Sequence, residues 1–253
     1  MSKWFARISW DEVPHLTPEA KADLLKTIPA HQVDARSKGI PVLGAGLVYP
    51  ISEEEIKVAD FPIPRHYRLC WGMDAGWNWT AVVWGAIDPD TGVVYLYSCY
   101  KRGHAEPAVH AEAIKARGEW IPGVGDAANI SITDGQQLIN VYRDVYKLDV
   151  ILPEKGVEAG IYKVWSMMTT GQLKVFTSLQ PWFDEFRFYA RADDGKGTIV
   201  KKNDHLMDAT RYLIVSGLQR AKPFPAPKRP FEEVEEKEQF YSPGVFSDNW
   251  MGV

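Results

Sequence analysis

Three apolar runs, at residues 67–73, 81–87 and 93–100, are rich in Val, Ile, Tyr and Trp and follow one another with only short turns between them. A parallel neighbour needs a connection of about a dozen residues or more, so strands joined this closely pair antiparallel. Asp88-Pro89-Asp90-Thr91-Gly92 turns the chain between the second and third runs, and Gly76 marks the turn after the first. Beyond residue 100 the texture changes to alternation. A helix is expected at about 106–117, a strand ending at Asp126, a helix near 136–146 and a strand at 149–152. Helices at 161–170 and 181–189 flank a short strand at 173–176, and a last helix closes the pattern near residue 218. Helical crossovers make parallel neighbours. The expected fold is therefore α/β, a mixed sheet of three antiparallel strands followed by parallel ones, flanked by helices.

Carboxylates fall at the ends of these elements. Arg68-Leu-Cys-Trp-Gly-Met-Asp74 is an apolar run that stops at an acid and is followed by a glycine turn, and Ile121-Pro-Gly-Val-Gly-Asp126 stops the same way. Asp208 lies in Asn203-Asp204-His205-Leu-Met-Asp208-Ala-Thr-Arg211-Tyr212, whose apolar spacing is helical, so Asp204 and Asp208, four apart, share a face. A single aspartate at such a place is usually a cap or turn residue. Three delivered to one sheet edge repel one another unless a cation binds among them. Mg²⁺ or Mn²⁺ suits such a set, because hard divalent ions prefer oxygen ligands and keep waters that a phosphate oxygen can replace. Two ions about 4 Å apart would stabilise both the attacking and the leaving oxygen of a phosphodiester displacement. The expected chemistry is that of a two-metal-ion endonuclease.

Zinc is excluded as a structural metal, since Cys70 and Cys99 are the only cysteines and no histidine pairs with them at a ligand interval. Both lie in apolar runs, where a free thiol fits a reducing cytoplasm. No apolar stretch approaches the roughly 20 residues of a bilayer span, and Met1-Ser-Lys-Trp-Phe-Ala-Arg lacks the core of a secretory signal, so the expected setting is neither membrane nor secreted. A formal net charge of −4 argues against indiscriminate coating of nucleic acid but not against local phosphate contact. Arg191, Lys196, Lys201, Lys202 and Arg211, near the third aspartate, are candidates for that contact.

Residues 1–66 carry many prolines and no sustained sheet pattern and are expected to be a lead-in, with residues 67–221 as the domain. Within the lead-in, Thr17-Pro18-Glu19 predicts a helix running to about Thr27. The Gly44-Ala-Gly46 that follows lacks the preceding strand and third glycine of a dinucleotide site and reads as a tight turn. Residues 222–253 are proline-rich and then acidic, expected to form a flexible or docking tail.

This order of elements, with acids on strand one, strand four and the last helix, resembles the ribonuclease H-like nuclease fold, and Asp74-x-Gly76-x-x-x-Thr80 resembles its first-strand signature. Four segments narrow the resemblance to the large terminase subunit of tailed bacteriophages: residues 9–16, residues 36–46, Gly125-Asp126-Ala127, and Asp204-His205-x-x-Asp208-Ala209-x-Arg211-Tyr212. It runs from about residue 9 to residue 218, and its last motif is the most specific.

The resemblance implies an endonuclease that cuts double-stranded concatemeric viral DNA during genome packaging, in the host cytoplasm, with a portal protein and a small terminase subunit as partners. Such subunits also carry an ATPase with a phosphate-binding loop. No Gly-x-x-x-x-Gly-Lys-Ser/Thr occurs here, so this chain is expected to be the nuclease portion of a longer protein, with residues 1–66 resembling the connection to the motor. By resemblance, Asp74, Asp126 and Asp208 are the metal ligands, Asp204 and His205 accessory positions, and Lys155 part of a basic loop near the site. His205 would orient water or hold Asp208. Two alternatives stay open: a noncatalytic docking module for portal or small terminase, and a junction resolvase or RNA-cutting enzyme on the same fold.

Overall fold

The computed structural model describes residues 9–27, 37, 46–127, 138–192 and 197–226. Its centre is a mixed sheet. Strands β2 (Arg68–Asp74), β3 (Thr80–Ile87) and β4 (Val94–Arg102) form the expected antiparallel meander, with Asp74 opposite Ala81 and Thr80 opposite Arg102. Strand β5 (Gly123–Asp126) lies parallel to β2, and β6 (Val150–Ile151) parallel to β5. On the other side, β7 (Leu173–Phe176) runs parallel to β4, and β1 (Lys57–Val58) runs parallel to β7. The order across the sheet is β1-β7-β4-β3-β2-β5-β6, and β8 (Lys222–Pro223) pairs with the start of β2.

Helices cover both faces, which is why β2 reads as an almost continuous apolar run and not as an alternation. Its odd residues Leu69, Trp71 and Met73 pack with Val82, Trp84 and residues of α3 (Pro107–Lys115) and α4 (Leu138–Asp144). On the opposite face Cys70 packs in a core with Val83, Val164, Trp182 and Leu213. That core draws on α5 (Val157–Thr169), α6 (Gln180–Phe188) and α7 (His205–Tyr212), the last continuing through a wider turn, Leu213–Gly217, and a tighter one, Leu218–Arg220.

Gly72 sets how closely α7 approaches the sheet. A β-carbon there would lie 2.1 Å from the Ala209 carbonyl oxygen and 2.8 Å from the Leu213 nitrogen, so only glycine lets the helix backbone rest on β2.

The expected boundary at residue 67 is not where packing begins. Val48, Tyr49 and Ile56 are buried in the main core, and α2 (Glu53–Ile56) leads straight into β1 at the sheet edge. A two-residue strand is too short to show a period, and Pro50, Pro62 and Pro64 mask a segment that packs through single side chains. Helix α1 (Pro18–Thr27) has its expected extent. Helix α5 starts four residues earlier than expected, because Gly156 turns the chain into it with φ 142° where the sequence offers no capping side chain. The tail beyond residue 226, the Gly44–Gly46 turn except Gly46, and Lys196 lie outside the described residues.

Candidate metal centre

Two carboxylates reach one sheet edge because β2 and β5 end together. The strands are parallel and in register, with Asp74 and Asp126 as direct partners at their last positions. Neighbouring strands lie about 4.8 Å apart, so the two side chains emerge side by side. The chain leaving β2 is held there by Ala75 N–H, which donates to the Asp126 carbonyl at 2.9 Å. Helix α7, drawn onto β2 at Gly72, begins over the same edge with Asp204 at its cap position and Asp208 in its first turn, both buried.

Every acid at this edge faces a positive or proton-donating group. Arg211 Nη2 donates to Asp208 Oδ1 at 2.9 Å, and its guanidinium lies 4.5 Å from the centre of the Tyr212 ring. Lys201 Nζ is 3.1 Å from Asp208 Oδ2 and 3.1 Å from Asp204 Oδ2. Lys201 thus bridges the two buried acids of α7. His205 Nδ1 lies 2.8 Å from Asp74 Oδ2, and Tyr212 OH donates to Asp126 Oδ2 at 3.3 Å.

Burial pushes the Asp74 carboxyl above its usual value; the hydrogen bond from His205 opposes this, and the charges of Asp208 and Asp204 add to it. The same hydrogen bond raises His205 above the ordinary imidazole value. Burial works against charge on Lys201, but Asp208 and Asp204 outweigh it and hold the ammonium above the usual lysine range. Tyr212 is raised by burial and then by the charges of Asp208, Asp74 and Asp126 around it. The edge is thus a concentrated negative site whose own cations partly neutralise it.

Residues 72–216, more than half of the chain, match the family model of the terminase RNaseH-like domain. The chain belongs to this family. It is 34% identical over 212 residues to the terminase large subunit of Salmonella phage P22, which covers 79% of this chain and 42% of that protein. It therefore spans less than half the length of that relative. The nuclease domain of the P22 large terminase superposes with a TM-score of 0.63 at 32% identity, over 71% of this chain and 96% of that one. The large terminase nuclease of thermophilic phage G20c, determined with bound magnesium, shares the fold at 18% identity, with a TM-score of 0.53 over 70% of this chain and 99% of that one.

Within this terminase domain the structure brings Asp74, Asp126, Asp208, Asp204 and His205 together at one edge. His205 differs from expectation in its partner: it bonds Asp74, not Asp208, because as the first residue of α7 it points back over the end of β2. Arg211 also differs. Its side chain is only 6% exposed and is engaged by Asp208, so it orients a carboxylate and does not offer a surface contact to phosphate. Lys201 turns its ammonium inward to the acids, while Lys202 and Lys155 are exposed. Lys155 lines a cavity of about 380 Å³ together with Asp126, Glu154, Leu152, Arg211 and Tyr212, which places the loop after β6 beside the acidic edge.

Glu185 was not among the sequence candidates. This buried acid on α6 accepts from Leu206 N–H at 2.6 Å, fixing the start of α7, and from Lys101 Nζ at 2.6 Å. Trp182, also on α6, donates its Nε1–H to Thr210 Oγ1 at 2.8 Å, so one helix positions the other at two points. The only sequence signal for Glu185 is an acid on the aromatic face of Trp182, Phe183 and Phe186.

Among the described residues, only His66, Asp88 and Asp90 bring three ligand atoms within 4.8 Å of one another. They sit at the β3–β4 turn, the opposite end of β3 from Thr80, where Asp88 Oδ1 accepts from Asp90 N–H and Oδ2 from Thr91 OH. Those bonds are what closes a turn of this sequence. The aspartates of the candidate metal centre stand in a more open arrangement, held by Lys201, His205, Arg211 and Tyr212.

Proposed function

We propose that this terminase domain is a metal-dependent endonuclease that cuts double-stranded, concatemeric viral DNA during genome packaging, as the nuclease part of a large terminase subunit. The observation that carries the reading is the in-register pairing of Asp74 and Asp126 at the ends of parallel strands, with Asp208 delivered to the same edge by α7.

The donor set fits a hard divalent cation. It is all carboxylate, and the Asp74 carboxyl is raised by burial and by neighbouring acids, a state that added positive charge would relieve. Asp74, Asp126 and Asp208 would hold Mg²⁺ or Mn²⁺, two ions in the full site, with Asp204 accessory. When bound, such ions supply Lewis acidity to the scissile phosphate and lower the pKa of an attacking water. The G20c nuclease, with its bound magnesium, shares this fold.

The chain's own residues do the positioning. His205 holds one oxygen of Asp74 and leaves the other free to ligate. Arg211 fixes Asp208 through Oδ1, so that Oδ2 faces Lys201 and the open edge. Lys155 and Lys202, both exposed, are suited to take the phosphates on either side of the cut. In the assembled motor this domain would work with portal and small terminase in the host cytoplasm, joined to an ATPase through the chain ahead of Val48, where packing into the domain core begins. Among the described residues no helix is long and apolar enough to cross a membrane.

Plasmid nicking in Mn²⁺ tests the assignment. Asp74→Asn and Asp126→Asn are each expected to abolish nicking while the folded structure persists, and full activity in both variants would defeat the reading.

A further inference from the structure

The turn that leaves Asp74 exposes two indoles. Trp77 is 58% and Trp79 42% exposed, whereas the other described tryptophans, Trp10, Trp71, Trp84, Trp120, Trp165 and Trp182, are wholly or largely covered. A lone exposed aromatic needs no explanation, but two on one short turn beside an acidic edge form a surface.

That surface is rigid. Thr80 Oγ1 donates to the Gly76 carbonyl at 3.0 Å and accepts from Gly76 N–H at 3.3 Å, closing the turn on itself. His104 N–H donates to the Trp77 carbonyl at 2.9 Å. The end of β4 lies so close that a β-carbon at Gly103 would sit 2.0 Å from the Asn78 carbonyl oxygen. The rings are held as well as the backbone. Lys101 Nζ lies 4.9 Å from the centre of the Trp79 ring, and the His104 ring meets Trp77 edge-on at 5.9 Å. Aromatics fixed this way lose little freedom when they bind.

The turn is also tied to the metal centre. It begins directly after the Asp74 strand, and Lys101, beneath Trp79, donates to Glu185, whose other oxygen anchors the start of α7. In the sheet order, β3 and its turn flank the Asp74–Asp126 pair on one side and the Lys155 loop after β6 flanks it on the other. A strand cut at this edge would therefore run between the Lys155 loop and the aromatic turn. Chain chemistry favours nucleic acid there: residues 75–80 carry no charge, and residues 101–104 are Lys-Arg-Gly-His, with Arg102 and His104 exposed.

We propose that Trp77 and Trp79 are an aromatic contact for the DNA strand held at the metal centre, packing on its deoxyribose faces and on bases that leave the stack next to the cut, and setting how the strand leaves the cut. The inference rests on the nuclease reading and names how the same site grips its substrate. Such contacts tolerate any sequence, because every sugar and every unstacked base presents an apolar face, and they do not release counterions as phosphate contacts do.

Fluorescence anisotropy of a short labelled random-sequence DNA duplex with a single-stranded overhang, with Ca²⁺ in place of Mg²⁺, tests the inference on the 253-residue chain. Trp77→Ala and Trp79→Ala are each expected to weaken binding about ten-fold, the order that one base–aromatic stack contributes. The slope of affinity against salt should stay at the wild-type value. Trp77→Phe with Trp79→Phe should restore most of the affinity, which a simple folding defect would not allow. Wild-type affinity in the double alanine variant would overturn the inference and leave the turn to a protein partner, while nicking by the unaltered chain would keep the nuclease reading. If the unaltered chain neither binds nor nicks DNA, the nuclease reading fails and this inference with it.

Discussion

Asp74 and Asp126 are register partners on parallel strands, and the main chain is stitched between them by Ala75 N–H to the Asp126 carbonyl. Burial first, and then the charges of Asp208 and Asp204, raise the Asp74 carboxyl against the hydrogen bond from His205. An acid raised on folding costs stability as pH climbs from its unfolded value of about 4 through its folded one. Asp74→Asn removes that cost. Its metal-free Tm at neutral pH is expected to equal or exceed the wild-type Tm by scanning calorimetry, while Mn²⁺ no longer raises it.

His205 has the opposite sign. Its hydrogen bond to Asp74 raises the imidazole above its ordinary 6.5, so the protonated ring favours the fold. That contribution is complete below the unfolded value and is lost as pH rises through the higher folded one. Urea titrations should show His205→Ala destabilised, on the order of 1 kcal/mol for a half-exposed charged hydrogen bond, at pH below 6.5. The gap should narrow as pH rises through the raised folded value.

Lys201 places its ammonium where it neutralises Asp204 and Asp208 together, yet its side chain is 65% exposed and free to swing out. An incoming divalent ion must displace it. Lys201→Met is expected to bind Mn²⁺ several-fold more tightly by isothermal calorimetry, and affinity at or below wild type would show that the lysine does not compete.

Gly72 carries the approach of α7 on β2. Because the Ala209 carbonyl oxygen lies 2.1 Å from the place a β-carbon would take, Gly72→Ala must push the helix outward. About 1–3 kcal/mol of destabilisation is expected in chemical denaturation, typical of overpacking a close contact. Asp208 moves with the helix, so Mn²⁺ affinity should fall too.

The mixed sheet was legible because tight turns force antiparallel pairing, helical crossovers force parallel pairing, and the three meander strands show their apolar runs over seven or more residues. The shared edge of Asp74 and Asp126 was legible because each stands where an apolar run stops, whereas Asp208 was placed by the helical spacing around it. Strand β1 escaped, as two residues carry no period, and so did the packing of Tyr49 and Ile56. Glu185 escaped because its role depends on α6 meeting α7, a contact between segments about twenty residues apart that no local pattern records. The burial of Arg211 was hidden for a similar reason: on a helix read alone, a basic residue three after an acid looks like a surface pair, and only the packing of α7 against α5 encloses it.

Anomalous diffraction from crystals of this chain soaked in Mn²⁺ tests the central claim most directly. Peaks are expected at the sheet edge, ligated by Asp74, Asp126 and Asp208 and accompanied by withdrawal of Lys201. A map with no peak at that edge, and manganese bound only between His66, Asp88 and Asp90, would contradict it.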